Sequence, residues 1–167
     1  MNAINQIENK IFTLEALLQQ VSKWKSYSEK IVFTNGCFDL VHRGHIDYLA
    51  KSSTLGSKLI IGLNTDASVS KIKGPSRPLQ DQKTRAMLMA SLFFVDAVVL
   101  FDDDTPYNLI KAIVPDVLVK GADYKLQDIV GYDIVTANGG CVKTIKFLEG
   151  FSTSGIVRKI LSENKFN

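Results

Sequence analysis

Apolar residues in the first part of the chain recur at spacings of three and four, which is the pattern of an amphipathic helix. The pattern runs through Ile4, Ile7, Ile11, Leu14, Leu18 and Val21. Thr13 is a residue type that caps helices, so the segment is predicted as one helix or as two, the second beginning at Leu14. Packing against a core explains this apolar face, and a dimer seam is the alternative. We therefore predict an N-terminal helical extension over residues 1–28, followed by one domain over residues 29–167.

Beyond the extension, short apolar runs alternate with amphipathic segments. The runs predict strands at residues 31–34, 58–63, 97–101, 117–120 and 142–147. The amphipathic segments predict helices at residues 43–55, 81–92, 106–113, 129–137 and 154–161. This alternation predicts the α/β class, with a Rossmann-like five-stranded parallel sheet and helices on both faces. Ligands of such sheets bind beyond the carboxyl ends of the strands, where the strand order reverses, so functional residues are expected just after each strand.

The turn after the first predicted strand contains the pattern H-x-G-H where a strand gives way to a helix. His42 and His45 are three residues apart and share one face of the first helical turn, where free N–H groups attract anions. Gly44 between them would let a phosphate or a base approach the backbone. We predict phosphate binding by this histidine pair, and incidental surface histidines are the alternative. A zinc site with Asp39 as third ligand also stays open.

A second predicted anion site lies near the end of the chain. Ser152, Thr153 and Ser154 follow the fifth predicted strand and open the last helix, so hydroxyls and N–H groups converge there. A plain helix cap is the alternative. The sequence contains neither a P-loop nor the pattern G-x-G-x-x-G, which leaves the H-x-G-H turn as the strongest phosphate-binding pattern.

Basic residues follow the second predicted strand. Lys71, Lys73 and Arg77 lie in a segment rich in glycine and proline, which we predict to be a loop that closes over a triphosphate. Arg85 begins the next predicted helix and is placed within reach of the same ligand. A solvated charged loop is the alternative.

Composition and charge limit the classes of partner that this chain is expected to bind. The chain has 167 residues, 46% of them apolar, with a formal net charge of +3, which suits one globular domain. This charge is too small to indicate nucleic acid or a membrane surface, and neither a signal peptide nor a membrane-spanning run is apparent. Cys37 and Cys141 are predicted to be free thiols. We therefore predict a cytoplasmic protein that binds neither nucleic acid nor membrane.

Several segments, taken in order, resemble a known family. They include KIVFTNGCFD at residues 30–39, PDVLVKG at residues 115–121, and residues 73–78, 94–96, 103–106, 123–124, 129–131 and 149–153. The series resembles the adenylyltransferase domain of bacterial ADP-heptose synthases, within the cytidylyltransferase-like nucleotidyltransferase superfamily. The resemblance covers nearly the whole chain. It implies that heptose 1-phosphate, as the β anomer, and ATP give ADP-heptose and pyrophosphate, for the lipopolysaccharide core, with Mg²⁺ as cofactor.

The resemblance and the residue pattern together imply roles for particular side chains. The predicted catalytic residues are His42, His45 and Lys73. The predicted nucleotide-binding residues are Thr34, Asn35, Gly36, Cys37, Phe38, Gly44, Lys71, Arg85, Lys120, Gly121, Ser152, Thr153 and Ser154. The predicted substrate-binding residues are Asp39 and Asp123, with no Mg²⁺ ligand assigned.

Two other functions stay open. One is a cytidylyltransferase, or another adenylyltransferase, that uses a different phosphate acceptor. The other is a nucleotide-binding module without turnover. The predicted partners are ATP, a sugar 1-phosphate and a second copy of the chain in a homodimer. Because few residues precede the first predicted strand, a sugar kinase of the same pathway is expected on a separate chain.

Overall fold

Six strands form one sheet in the computed structural model, which describes residues 2–122 and 125–163. The strands are Ile11–Phe12 (β1), Ile31–Gly36 (β2), Lys58–Asn64 (β3), Ala97–Phe101 (β4), Val117–Gly121 (β5) and Cys141–Ile145 (β6). The described helices are Ala3–Glu8 (α1), Leu14–Ser26 (α2), Arg43–Ser53 (α3), Asp66–Lys73 (α4), Gln82–Ser91 (α5), Tyr107–Ile113 (α6), Tyr132–Ala137 (α7) and Thr153–Glu163 (α8). A 3-10 turn, Leu126–Asp128, precedes α7.

The sheet is parallel throughout, in the order β1-β4-β3-β2-β5-β6. The order runs in one direction from β2 to β3 and in the other from β2 to β5. The point where it reverses therefore lies between β2 and β5, and their carboxyl ends flank the crevice in which such sheets bind ligands.

Alternate residues of the central strands contribute to two separate hydrophobic cores, one on each face of the sheet. On one face, Phe33 of β2 joins buried residues of α2, α6 and α7. On the other face, Val32 of β2 joins buried residues of α3 and α5. Side chains of a strand alternate between its faces, so the continuous apolar runs of β2 and β3 supply both cores. The predicted α/β fold, with helices on both faces, is confirmed.

The N-terminal segment contributes a sixth strand that the sequence pattern did not predict. Two residues of β1 pair with β4, and they separate α1 from α2. Ile7 of α1 packs on the α3–α5 face, whereas Leu17 and Val21 of α2 are buried on the opposite face. The Thr13 hydroxyl accepts a hydrogen bond from Ala16 N and caps α2, which confirms the two-helix alternative. The boundary between extension and domain at residue 28 stays a prediction.

Helix α4 was not predicted from the sequence, which placed Lys71 and Lys73 in a loop. It buries few residues, chiefly Ser68 and Val69, which is too few to give a periodic apolar pattern. Thr65 caps its start by accepting a hydrogen bond from Ser68 N. Lys71 and Lys73 therefore lie in the last turn of a helix, and the loop begins at Gly74. Among the described residues, no helix is long and apolar enough to cross a membrane.

Candidate active site

Three adjoining cavities lie at the carboxyl ends of the strands. The histidine cleft, of about 470 Å³, is lined by His42, His45, Lys73, Arg77, Phe147, Phe151, Ser152, Thr153 and Ser154. The switch-point cleft, of about 430 Å³, is lined by Asn35, Gly36, Cys37, Phe38, His45, Tyr48, Asn64, Ile72, Lys73, Lys120, Gly121 and Phe147. A side pocket of about 210 Å³ is lined by Asp104, Thr105, Pro106, Lys120, Asp128, Ile129 and Val130. Shared lining residues join the cavities, because His45 and Lys73 belong to both clefts and Lys120 links the switch-point cleft to the side pocket.

The two histidines stack face to face at the start of α3. Their ring centroids are 3.8 Å apart with an angle of 18° between the planes, and Phe38 meets His45 edge-on at 5.3 Å. The Nδ1 atoms of both rings are buried and have no hydrogen-bond partner among the described residues. Burial lowers the pKa of His42, and burial together with His42 and Lys73 lowers the pKa of His45 to about 4. Both rings are therefore neutral at neutral pH and offer hydrogen-bond donors rather than full positive charges.

Gly44 is the point where the histidine turn (residues 35–45) touches the segment before α8. A Cβ at this position would lie 3.1 Å from the His42 ring and 3.2 Å from the Cβ atom of Phe151. The missing side chain therefore allows close packing of two protein segments. The predicted contact of Gly44 with a nucleotide stays a prediction, since the space a Cβ would enter is bordered by protein.

The serine turn (residues 152–154) lines the same cleft as the histidine pair. Ser152 Oγ accepts a hydrogen bond from Gly155 N at 3.0 Å and lies 3.3 Å from Ser154 Oγ. Ser152 therefore caps α8, as the alternative interpretation held. All three residues also line the cleft, so capping and anion binding are compatible roles here.

The structure separates the basic residues of the α4 region into two groups. Lys73, at the end of α4, and Arg77, in the following loop, both line the histidine cleft. The Lys71 side chain is 62% exposed, lies 4.0 Å from the Asp104 carboxylate, and is absent from the lining of either cleft. The structure thus brings Lys73 to the histidine pair but does not bring Lys71 there.

Asp39 has a different place from the one predicted for a substrate ligand. Its buried carboxylate accepts hydrogen bonds from Arg77 Nη1 at 2.7 Å and from the backbone N–H groups of Leu79 and Gln80 at 2.8 and 3.0 Å. Burial opposes ionisation of this carboxyl, but these three hydrogen bonds outweigh it, and the pKa of Asp39 lies below its usual value. Its hydrogen bonds thus go to protein groups, not to the open cleft.

Arg85 differs from its prediction in the same way. The side chain is fully buried, and its guanidinium donates to the backbone oxygens of Gln80, Cys37 and Asn64 and to the Asp66 carboxylate. Direct contact with a nucleotide would require several of these bonds to break. Arg85 thus bonds the carbonyls of Cys37 and Asn64, whose residues line the switch-point cleft, and its predicted contact with a nucleotide stays a prediction.

Lys120 and Asn35 meet where the strand order reverses. Lys120 Nζ donates a hydrogen bond to Asn35 Oδ1, and burial lowers the pKa of Lys120 to about 8. The predicted nucleotide-binding residues that line the switch-point cleft are Asn35, Gly36, Cys37, Phe38, Lys120 and Gly121. Thr34 is fully buried beneath the cleft and hydrogen-bonds Tyr48 Oη at 2.8 Å. Asp123 lies outside the described residues.

A zinc centre at the histidine pair lacks its ligands. Over residues 2–122 and 125–163, no three His, Cys, Asp or Glu side chains are grouped to hold a metal ion. Asp39, the third ligand of that alternative, is paired with Arg77.

Several lining residues were not assigned to the site from the sequence. Asn64 is the last residue of β3, so the rule that ligands bind at the carboxyl ends of strands would have found it. Phe147 and Phe151 carry no pattern that separates them from core residues. Packing brings Phe147 within 5.2 Å of the Tyr48 ring, and Arg43 lies 5.6 Å over the Phe151 ring.

Comparison with known proteins agrees with the family predicted from the sequence. The cytidylyltransferase-like family matches residues 33–159. The bifunctional protein HldE of Azorhizobium caulinodans is 55% identical over 139 residues, covering 83% of this chain and 29% of that protein. The bifunctional protein HldE of Campylobacter jejuni subsp. doylei is 55% identical over 153 residues, covering 92% of this chain and 32% of that protein. The chain therefore spans about a third of the length of these curated relatives.

A solved structure extends the agreement to the fold. The lipopolysaccharide core biosynthesis protein from Thermoplasma volcanium GSS1 superimposes with a TM-score of 0.57 at 26% identity, over 72% of this chain and 97% of that one. A histidine pair, a lysine and a serine turn line one cleft that adjoins the point where the parallel sheet reverses its order, and together with the family match they indicate a nucleotidyltransferase. The chain belongs to the cytidylyltransferase-like family, which confirms the resemblance seen in its sequence.

Proposed function

We propose that this chain transfers the adenylyl group of ATP to D-glycero-β-D-manno-heptose 1-phosphate and releases pyrophosphate. The product would be ADP-heptose for the lipopolysaccharide core. The observation that carries the proposal is the histidine cleft, where a neutral histidine pair, Lys73 and the serine turn surround one space. The heptose acceptor is supported by the HldE relatives, which are about half identical over nearly all of this chain.

The chain's contribution to the reaction would be positioning and electrostatics. A sugar phosphate is largely dianionic at neutral pH, as a second phosphate pKa of about 6 dictates, and needs no strong base. We propose that both histidines donate through Nε2 to the triphosphate, because their Nδ1 atoms are buried. Lys73 would neutralise the leaving pyrophosphate, and Ser152 to Ser154 would hold its oxygens.

Lys120 and Lys73 flank the space proposed for the acceptor. Both line the switch-point cleft, which adjoins the histidine cleft at His45. An acceptor phosphate placed there would meet two lysines next to the α-phosphate of ATP. Bringing two anions together is the main barrier that such a site must lower.

Mg²⁺ would arrive as part of the triphosphate substrate. Mg²⁺ usually keeps several waters and binds through phosphates with one or two carboxylates. Because the described residues hold no group of three metal-ligating side chains, a complex with ATP fits this chain better than a resident ion. The charge of the bound ion would offset the negative charge of the triphosphate.

Pyrophosphate release from purified protein tests the proposal. Each of ATP, CTP and GTP is supplied with Mg²⁺ and with each anomer of D-glycero-D-manno-heptose 1-phosphate in turn. We expect release with ATP and the β anomer. Release with another pair would assign a different acceptor or base, and nucleotide binding without release would indicate a binding module.

The remaining partners are part of the same proposal. The acceptor must be made by a sugar kinase, and the proposed use of ATP favours the cytoplasm. A homodimer stays a prediction that light scattering after size exclusion would test.

A further inference from the structure

Two buried charges tie the histidine turn to the loop that follows α4. Asp39 Oδ1 accepts a hydrogen bond from Gln80 N, and the carbonyl of the same Gln80 accepts one from Arg85 Nε. Arg85 Nη1 then returns to the Cys37 carbonyl, two residues before Asp39. The bonds form a closed ring through Asp39, Gln80, Arg85 and Cys37, which we call the clasp.

The clasp is connected to both ends of α4. At its start, Arg85 donates to the Asn64 carbonyl at 2.8 Å and to the Asp66 carboxylate at 2.6 Å. After its end, Asp39 accepts from Arg77 Nη1 at 2.7 Å. Helix α4 carries Lys73, so the position of this lysine relative to the histidine pair depends on both charges.

Burial makes the geometry of these charges demanding. The side chain of Asp39 is 1% exposed and that of Arg85 is 0% exposed. A buried charge is costly unless its hydrogen bonds are satisfied. Each of these two charges therefore restricts its hydrogen-bond partners to a small range of positions. The partners are backbone groups and two side chains from three segments, which contain Cys37, residues 64–66 and residues 77–80.

We propose that Asp39 and Arg85 are positioning residues, which hold Lys73 and Arg77 against the histidine cleft before the nucleotide arrives. This assignment rests on the proposed function only in naming the triphosphate as the ligand of the cleft. It replaces the expectation that Asp39 binds substrate and Arg85 binds nucleotide.

The test combines ATP binding with proteolysis of the ligand-free protein. Asp39→Asn keeps the shape of the side chain but offers one acceptor oxygen where three donors converge. We expect the ATP dissociation constant, measured by calorimetry with Mg²⁺ and no acceptor, to rise about tenfold, as loss of a charged hydrogen bond predicts. Trypsin cleavage between Lys73 and Gly74 should accelerate by about the same factor, because the loop after α4 is released.

Two further variants keep the test decisive if Asp39→Asn folds poorly. Arg77→Met removes the ion pair from its partly exposed side and should also accelerate cleavage without ATP, which a residue that only touches the nucleotide would not do. Asp47→Asn is the matched control, because this carboxylate on α3 pairs with Lys51 at the surface and lies outside the clasp. Its binding and cleavage should equal those of the wild type.

The outcomes separate this inference from the proposed function. If Asp39→Asn and Arg77→Met both show wild-type cleavage and wild-type ATP affinity, the clasp is overturned. A defect confined to the KM of the sugar phosphate would also overturn it and make Asp39 a substrate ligand. A protein without turnover on any acceptor whose variants still lose ATP affinity and expose Lys73 would keep the clasp and reject the proposed reaction.

Discussion

The two turns that line the histidine cleft differ in how firmly the rest of the protein holds them. The histidine turn (residues 35–45) joins a buried strand to a packed helix, and Arg85 holds it through the Cys37 carbonyl. Phe38 within it has a φ of 44°, a left-handed conformation that an aromatic residue adopts only where its surroundings enforce it. The serine turn is largely exposed and opens α8, which leaves Ile160 and Leu161 more than half exposed.

This difference suggests that the two turns have different roles in one phosphate-binding site. Groups that stabilise charge in a transition state must be held in place in advance, which the histidine turn allows. A turn with few contacts can move as ligands enter and leave, and such motion suits the serine turn. We therefore expect substitutions in the histidine turn to affect turnover most, and substitutions in the serine turn to affect nucleotide affinity.

The largest effect is expected for His45→Ala. Loss of one preorganised donor lowers turnover by about 10²–10³, and the ATP dissociation constant should change much less. Pyrophosphate release in steady state measures turnover, calorimetry with ATP and Mg²⁺ measures the dissociation constant, and circular dichroism confirms the fold. His42→Ala should behave alike. Wild-type turnover in either variant would remove the histidine pair from the mechanism.

Gly44→Ala tests the contact between the two turns. The added methyl would press on the His42 ring at 3.1 Å and on Phe151 at 3.2 Å, so one turn must shift. We expect turnover to fall by about tenfold, since small misplacements at a reacting centre are costly. Gly139→Ala serves as a control for the glycine change, because nothing lies within 4 Å of a Cβ there, although its φ of 77° adds backbone strain. Equal turnover of Gly44→Ala and wild type would mean that the turns move independently.

Ser152→Ala should have a smaller effect, on affinity. The variant loses the cap of α8 and a cleft hydroxyl, and cap loss alone costs about 1 kcal/mol. We expect the KM for ATP to rise about fivefold to tenfold with turnover nearly unchanged, because uniform binding is lost. Ser162→Ala, in the same helix and outside the cleft, is the matched control. A loss of turnover as large as that of His45→Ala would contradict the different roles of the two turns.

A separate effect is expected in the pH dependence of stability. The pKa of His45 is about 4 in the folded protein against an ordinary 6.5, so the unfolded chain binds more protons between these values. The free energy of unfolding gains this contribution fully above pH 6.5 and loses it as pH falls towards 4. His45→Gln should therefore flatten this part of the profile in urea unfolding. An unchanged slope would mean that the ring is solvated. Asp39, with a lowered pKa, acts in the same direction below its ordinary value of 3.8.

Local sequence patterns predicted those helices and strands whose own residues form an apolar run or an apolar periodicity. Strand β4 was predicted at residues 97–101, where it lies, because a short apolar run bounded by charges specifies a buried strand. Helix α4 and strand β1 were missed, because a helix with few buried residues and a two-residue strand leave no periodic trace. The histidine pair was found through its position after a strand, which is a local feature.

The sequence by itself determined the fold class and the family, because short segments in a fixed order along the chain encode both. Only the tertiary structure decided which charged residues face the cleft. The sequence offered three similar candidate ligands, Asp39, Lys73 and Arg85. In the fold, Asp39 and Arg85 bond to protein groups far away in the chain, whereas Lys73 lines the cleft. A charge that meets protein donors or acceptors is held in the framework, whereas a charge left beside open space remains available to a ligand.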